Sequence, residues 1–462
     1  MIFSTFSFLF CFLPVFFLVY YLLPAKVKNY WITLGSILFY SFGEPIYIIL
    51  LVNIAIANYI IGRLYTKFQK DNRARVAWLV VGLAINLGIF ISCKIMPDYI
   101  SSYVKVTTVY HIPLGISFYI LSCISYLVDI YWGKATIQKN FISYFVYLAM
   151  FPKVLAGPVI SYQNFSGQLE NRIISFSNIS EGILLFGKGL GKKVLLADNL
   201  YPLCSQILAA DDSSLSILTA WLGILAIIFR FYFDFSGYTD MARGLAKMMG
   251  FYLPRNFRAP FSSRSVTEFW HRWNISIIRW FKRYIFYPLN GIHKGKLWLV
   301  FNLLIVIAAY CFWRGFGWNV IIAAVFYVTI LLGERFVWGN FLKKIPRFLG
   351  QFYTFFMTVF VFVMLSHPNV SSALSYLGVM FGWGRYPWIN NETIYFFASY
   401  LVILLICIFI SSHFLKHYKE SLYLYYPKIY HLLKPMVIFI IWIFSIAFLM
   451  NSNTIPFLCF TL

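Results

Sequence analysis

Charge is scarce in this 462-residue chain, and acidic charge is scarcest: Asp and Glu number 15 against 38 Lys and Arg, and the four charged types make up 11% of the residues. A soluble domain carries charge at roughly a quarter of its positions, so the solvated surface that such a domain needs is missing. Metal-ligand and disulfide patterns are missing too. The seven cysteines are scattered, mostly inside apolar runs, with no CxxC and no ligand-like spacing to histidine, and they read as buried small side chains. No low-complexity tract, fixed-period repeat or long Pro/Gly/Ser linker interrupts the chain, so a single membrane domain over residues 1–462 is the simplest organisation. What fills the chain instead is apolar bulk: 61% of residues are hydrophobic and 21% aromatic, and the mean hydropathy is +0.75.

That bulk comes in long charge-free runs: Ile2–Ala25, Pro45–Gly62, Val76–Cys93, Val106–Val128, Ser213–Phe229, Leu297–Trp313, Phe316–Gly333, Phe348–Ser366, Thr393–Ser412 and Pro435–Leu462. Asn29–Gly43 and Asn140–Pro152 are shorter candidates. A helix of about 17–25 apolar residues crosses the roughly 30 Å hydrocarbon core of a bilayer. The runs predict an all-α polytopic membrane protein with about ten to twelve spans, and their length excludes barrel strands. The first run lacks a basic leader and a small-residue cleavage site before Lys26, and is expected to be a retained span.

Basic residues gather in Arg63–Arg75, Arg255–Lys296, Arg335–Arg347 and Lys416–Lys434, which places those loops in the cytoplasm and the N-terminus outside. The net charge of +23 has no nucleic-acid recognition module to serve, so the lipid bilayer is the expected partner.

The largest break in the hydrophobic rhythm is Arg243–Lys296, too long for an ordinary connection and too aromatic for a solvated one. At about 100° per residue, Trp270, Trp273, Ile277, Trp280, Phe281 and Tyr284 share one helical face with Phe269. Glu268, Arg272, Arg279, Lys282 and Arg283 share the other. This predicts one amphipathic helix lying at the headgroup layer, with Asn274 at the border of its aromatic face and His271 one turn earlier toward the polar side. Upstream, Asp234 and Asp240 flank Ser236–Gly237 at the end of an apolar run. Acids inside a membrane are costly, and either they serve function or they pair with a cation such as Arg230, Arg243 or Arg258.

These residues carry a resemblance. The stretch "FDFSGYTDMARGLAKMMGFYLPRNFRAPF" (Phe233–Phe261), continuing through "EFWHRWNISIIRWFKR" (Glu268–Arg283), resembles the signature of the membrane-bound O-acyltransferase (MBOAT) family. It is most similar to the bacterial branch of alginate O-acetyltransferase-like and D-alanyl-transfer proteins. "IPLGISFYILSCISYLVDIYWG" (Ile112–Gly133), "FPKVLAGPVISY" (Phe151–Tyr162) and "FGEPIYIILLVNIAIANYIIG" (Phe42–Gly62) fit in the same order. The signature occupies about residues 230–335, and the C-terminal part is less diagnostic.

The resemblance implies an MBOAT-type helical bundle, with re-entrant or interfacial helices, that moves an acyl group to a hydroxyl near or across the membrane. It implies two polar positions for the chemistry: Asn or His in the "FWxRWxIS" helix, here Asn274, and His in a later "WHG" turn, here Arg314 in "FWRG". Guanidinium is a cation at any accessible pH, so Arg314 stabilises an oxyanion, a thiolate or a phosphate and does not act as base. His271, inside the signature helix, is the candidate replacement base, with His367 and His293 weaker candidates near span ends. Asp240, Glu268, Arg272, Trp273 and Trp313 are the accompanying substrate-binding or structural-polar candidates. The expected substrates are an acyl-CoA or acyl-carrier thioester donor and a cell-envelope glycan or polymer acceptor, with no tightly bound cofactor and no metal. A separate extracytoplasmic transferase is the expected partner and the bacterial inner membrane the expected location. The alternatives are a catalytically impaired scaffold or acyl-binding protein, which Arg314 would favour, and a transporter, which lacks the expected internal symmetry.

Overall fold

A computed structural model describes residues 2–68, 71–103, 111–289, 295–315, 317–412 and 414–451. His293 lies outside the described residues, as do the start of the Val106–Val128 run and the end of the Pro435–Leu462 run. The regular elements among the described residues are all helices, with no strand.

The chain divides into two compact units. The first takes residues up to Phe186 together with Tyr238–Pro254. It contains α1 (Leu13–Leu22), α2 (Lys28–Ser41), α3 (Tyr47–Lys67), α4 (Asn72–Tyr103), α5 (Ile116–Tyr131), α6 (Phe141–Ala149), α7 (Phe151–Val154), α8 (Tyr162–Glu170) and the first turns of α9 (Phe176–Gly191). With no hydrophobic drive between helices in lipid, polar contacts and close backbone approach must join them. Asn58 on α3 and Asn86 on α4, both fully buried, exchange amide hydrogen bonds of 3.0 and 2.7 Å. Gly182 on α9 faces Gly244 on α11 (Ile217–Met248) so closely that a Cβ on Gly244 would stand 2.6 Å from the Gly182 carbonyl oxygen.

The second unit takes Gly187–Gly237 and Arg255–Asn451. It holds α10 (Asp198–Ala209), the part of α11 up to Gly237, α12 (Val266–Arg272), α13 (Ile275–Phe281), α14 (Lys296–Arg314), α15 (Trp318–Phe336) and α16 (Gly339–Lys344). It continues with α17 (Arg347–Ser366), α18 (Val370–Phe381), α19 (Asn391–Ser411), α20 (Phe414–Tyr425) and α21 (Pro427–Asn451). Among the described residues eight helices are long and apolar enough to cross a membrane: α3, α4, α11, α14, α15, α17, α19 and α21. Shorter apolar segments at Phe8–Leu22, Ile116–Tyr131 and Val370–Phe381 accompany them.

Two expectations change. The run expected to close at Phe229 continues as one helix to Met248, so Asp234 and Asp240 sit inside α11 and not at its end. The helix tolerates them because each is paired. Asp234 Oδ1 lies 2.9 Å from Lys193 Nζ, which also reaches Asp198 Oδ1 at 2.7 Å, and Asp240 meets Arg243 at 3.1 Å within the first unit. The signature segment is also not one helix. It is helical to Arg272, breaks at Trp273–Asn274, and restarts at Ile275.

Candidate active site

The break is made by Asn274, whose φ of 42° and ψ of 52° are left-handed. Among residues with a Cβ, Asn is one of the few that enters this region readily. Helix ends expose unpaired backbone groups, and here the segment before α12 supplies the partners. The Arg258 N–H donates to the Arg272 carbonyl at 2.9 Å. The Asn256 backbone carbonyl accepts from the Ile275 N–H at 2.9 Å, and its side-chain oxygen accepts from the Ser276 N–H at 3.0 Å. Two amide atoms at the break, Asn274 Oδ1 and Asn256 Nδ2, are buried with no hydrogen-bond partner among the described residues.

Trp273 anchors the break from its aromatic side. Its ring stacks on Phe231 (5.8 Å between centroids, 11° between planes) and on Phe269 (5.3 Å, 18°), and meets Phe257 and Phe362 edge-on. The aromatic face read from the sequence is therefore buried, with Trp273, Ile277, Trp280 and Phe281 in the core, although the helix that carries it is in two pieces.

After α13 the chain returns as α14, pinned to the end of the signature by Asn302 Nδ2 donating to the Phe286 carbonyl and Trp298 Nε1 to that of Leu289, at 2.9 and 2.7 Å. Its nineteen residues rise about 28 Å and end on Arg314. The guanidinium carbon lies 5.8 Å from the centroid of the Phe231 ring, the same ring on which Trp273 stacks. Asn319, just inside α15, holds that end of the unit by donating to the Met364 and His367 carbonyls at 3.2 and 2.9 Å.

Between α12, α13, α14 and α15 lies a cavity of about 930 Å³. It follows α15 from Val320 to Glu334, about 20 Å of helix. Its middle is walled by Leu303, Val306, Ile307, Ala323, Ala324 and Leu331. Trp270 projects between Tyr310 and Tyr327, at 6.0 and 4.9 Å, and its Nε1–H is buried with no partner among the described residues. Glu268, His271 and Arg314 line the cavity, as do Arg264, Lys282, Arg335 and Lys343.

Of the residues singled out in the sequence, His271, Glu268 and Arg314 thus share one cavity. Asn274 does not line it and lies buried at the break. Trp273 is in the aromatic cluster, Trp313 packs against Tyr310 and Phe281, and Arg272 is turned to Glu268 in an ion pair one helical turn back. Asp240 is in the other unit, paired with Arg243. His367 caps α17, with its ring 4.7 Å from that of Tyr376.

His271 is an exposed residue, and its ring has a partner. Lys282, expected on the free cationic face, donates to its Nε2 at 2.8 Å across the break. Burial and, after it, the Lys282 charge hold the imidazole pKa below its ordinary 6.5, against smaller opposing pulls from a Thr267 backbone hydrogen bond and Glu268. Burial likewise lowers the Lys282 ammonium. The lowered pKa favours the neutral ring, the state a base requires.

Three residues escaped the sequence reading: Asn256, Tyr310 and Glu334. The position of Asn256 in "LPRNFRAPF" is a weak capping signal, and Glu334 is the lone acid of α15.

The architecture is that of a helical membrane protein whose signature segment, broken at its centre, forms one wall of a long internal cavity. Residues 64–377 match the model of the MBOAT, membrane-bound O-acyltransferase family, and the chain belongs to that family. It is 32% identical over 395 residues to an Azotobacter vinelandii protein named "Probable alginate O-acetylase AlgI", covering 83% of this chain and 79% of that one. It is 31% identical over 424 residues to the peptidoglycan O-acetyltransferase of Helicobacter pylori, covering 83% and 80%. Against the teichoic acid D-alanyltransferase of Bacillus subtilis the identity is 24% over 248 residues, 50% and 62% of the two chains. The chain is a membrane-bound O-acyltransferase.

Proposed function

We propose that this protein moves an acetyl or other short acyl group from a thioester donor to hydroxyls of a cell-envelope polysaccharide or related polymer. The observation that carries the reading is the cavity in which an imidazole, His271, and a fixed cation, Arg314, come from different helices to one apolar-walled space. Kinship with proteins named for alginate and peptidoglycan O-acetylation supplies the acceptor class.

In the proposed step the acceptor oxygen attacks the acyl carbonyl carbon. Its proton passes to His271 Nε2 once Lys282 releases that atom, the C–S bond breaks, and the proton leaves with the thiolate. Arg314 stabilises the negative charge that develops first on the carbonyl oxygen and then on sulfur; such a group is worth most where water is excluded. The donor is an acyl-CoA or an acyl-carrier thioester. The protein sits in the bacterial inner membrane with its N-terminus outside, the basic loops facing the donor, and a separate extracytoplasmic transferase completing delivery.

Arg314 favours a second reading, a catalytically impaired family member retained for acyl binding, because it stands where the family resemblance places His. Acetyl transfer by the purified protein, with donor hydrolysis followed in parallel, separates the two. Turnover that falls in both His271→Ala and Arg314→Ala supports the enzyme. A wild type inert toward thioesters, with turnover appearing in Arg314→His, supports the impaired form.

A further inference from the structure

Glu334 is the one acidic residue on α15, and burial of a carboxylate near a span end is costly unless its oxygens are satisfied. They are satisfied by α12. Glu334 Oε1 accepts from the Val266 N–H at 2.6 Å, and Oε2 accepts from the Thr267 N–H at 2.8 Å and the Thr267 hydroxyl at 2.6 Å. The residue is 7% exposed and lines the same cavity as His271. The remaining N–H at this helix start is taken locally: Ser265 Oγ accepts from the Glu268 N–H at 3.1 Å.

The surroundings of Glu334 are equally constrained. A Cβ on Gly333 would stand 1.9 Å from the Trp338 ring, and one on Gly339 would stand 1.8 Å from the Glu334 carbonyl oxygen, so the "GERFVWG" turn closes on itself around the acid. Trp338 Nε1 donates to the Tyr353 hydroxyl at 3.1 Å, tying that turn to α17. From α17, Gln351 Nε2 donates to the Ser262 carbonyl at 3.2 Å, just before α12.

We infer that Glu334 is a positioning residue for acyl transfer: its carboxylate clamps the first turn of α12 to α15 and so fixes where His271 stands in the cavity. A seven-residue helix that ends in a break has little rigidity of its own, and its N-terminus favours a negative charge. Both carboxylate oxygens are needed. Glutamine keeps the shape but turns an NH2 toward one of the two backbone N–H groups, leaving that donor unsatisfied.

The inference rests on the acyl-transfer reading, so its test has readouts independent of turnover. In the full-length protein in detergent, Glu334→Gln should speed hydrogen exchange at the Val266 and Thr267 amides about tenfold to a hundredfold, the loss of one hydrogen bond to a charged acceptor. The NMR titration of the His271 ring should rise toward 6.5 as the ring leaves Lys282. Where transfer is measured, kcat should fall by about the same factor with KM changed less than about twofold. Thr267→Val, which removes only the hydroxyl bond, should move the same quantities in the same direction by less, and Glu334→Asp should restore part of the loss. The clamp is overturned if both substitutions leave the two amides and the His271 titration unchanged. The positioning role is overturned if exchange accelerates while the His271 titration or a measurable kcat stays put. A wild type without transfer sinks the acyl-transfer reading alone, since exchange and titration still decide the clamp.

Discussion

The two ends of α12 are built in opposite ways. At its start the Ser265 hydroxyl and the Glu334 carboxylate take up the exposed N–H groups of Val266, Thr267 and Glu268. At its end the backbone groups pair with the segment before α12, a left-handed Asn holds the turn, and two buried amide atoms have no hydrogen-bond partner among the described residues. A satisfied end fixes position, while buried polar atoms that cost free energy and are kept in place mark where a site trades stability for chemistry. The contrast puts the satisfied end of α12 at Glu334 and the strained end beside His271, the base of the proposed transfer.

The largest expected effect breaks the loose end outright. Trp273→Ala removes a ring stacked on two others and should cost about 3–5 kcal/mol, read as a fall in the thermal midpoint of the purified protein. An unchanged midpoint would show that the break is held by its backbone bonds alone.

Arg314→Ala should lower kcat about a hundredfold or more, the loss of a charge-stabilising donor, while leaving the thermal midpoint close to wild type. Arg314→Lys should recover only part, because the ammonium lacks the fork. Full activity in Arg314→Ala would remove the residue from the mechanism.

Asn274 separates backbone from side chain. Asn274→Ala should cost about 1 kcal/mol or less in stability, because alanine enters the left-handed region less readily than asparagine, and Asn274→Gly should cost less still, since glycine has no Cβ to strain. If Asn274→Gly nevertheless loses transfer, the side-chain oxygen has a chemical role. If it retains transfer, Asn is present to make the turn.

The pH dependence tests the contact across the break. Because the His271 pKa is depressed, kcat/KM should hold at neutral pH and fall only as pH drops through a midpoint below 6.5. Lys282→Ala removes one of the two causes of that depression, so the midpoint should move up. A midpoint that does not move would show that Lys282 and His271 are uncoupled in solution. Smallest of all, Arg279→Ala on the exposed face should change stability by less than about 0.5 kcal/mol.

The sequence by itself determined the solvent, the secondary-structure class and the family. Apolar runs of membrane length can only be helices in lipid, and the ordered motifs from Phe42 to Arg283 belong to one family. It also determined which face of the signature is aromatic, because periodicity survives a single break: Trp273, Ile277 and Trp280 are buried as their spacing requires. Asn274 looked like a side chain on a helical face, and its left-handed backbone is invisible to a wheel drawn at constant pitch. Only the tertiary structure decided that His271 and Arg314 share a cavity, that Lys193 answers Asp234, and that Glu334 caps a helix sixty-eight positions earlier in the chain. Each of these is a long-range pairing whose partners are chosen by how whole helices stack, and local propensity carries no information about that choice.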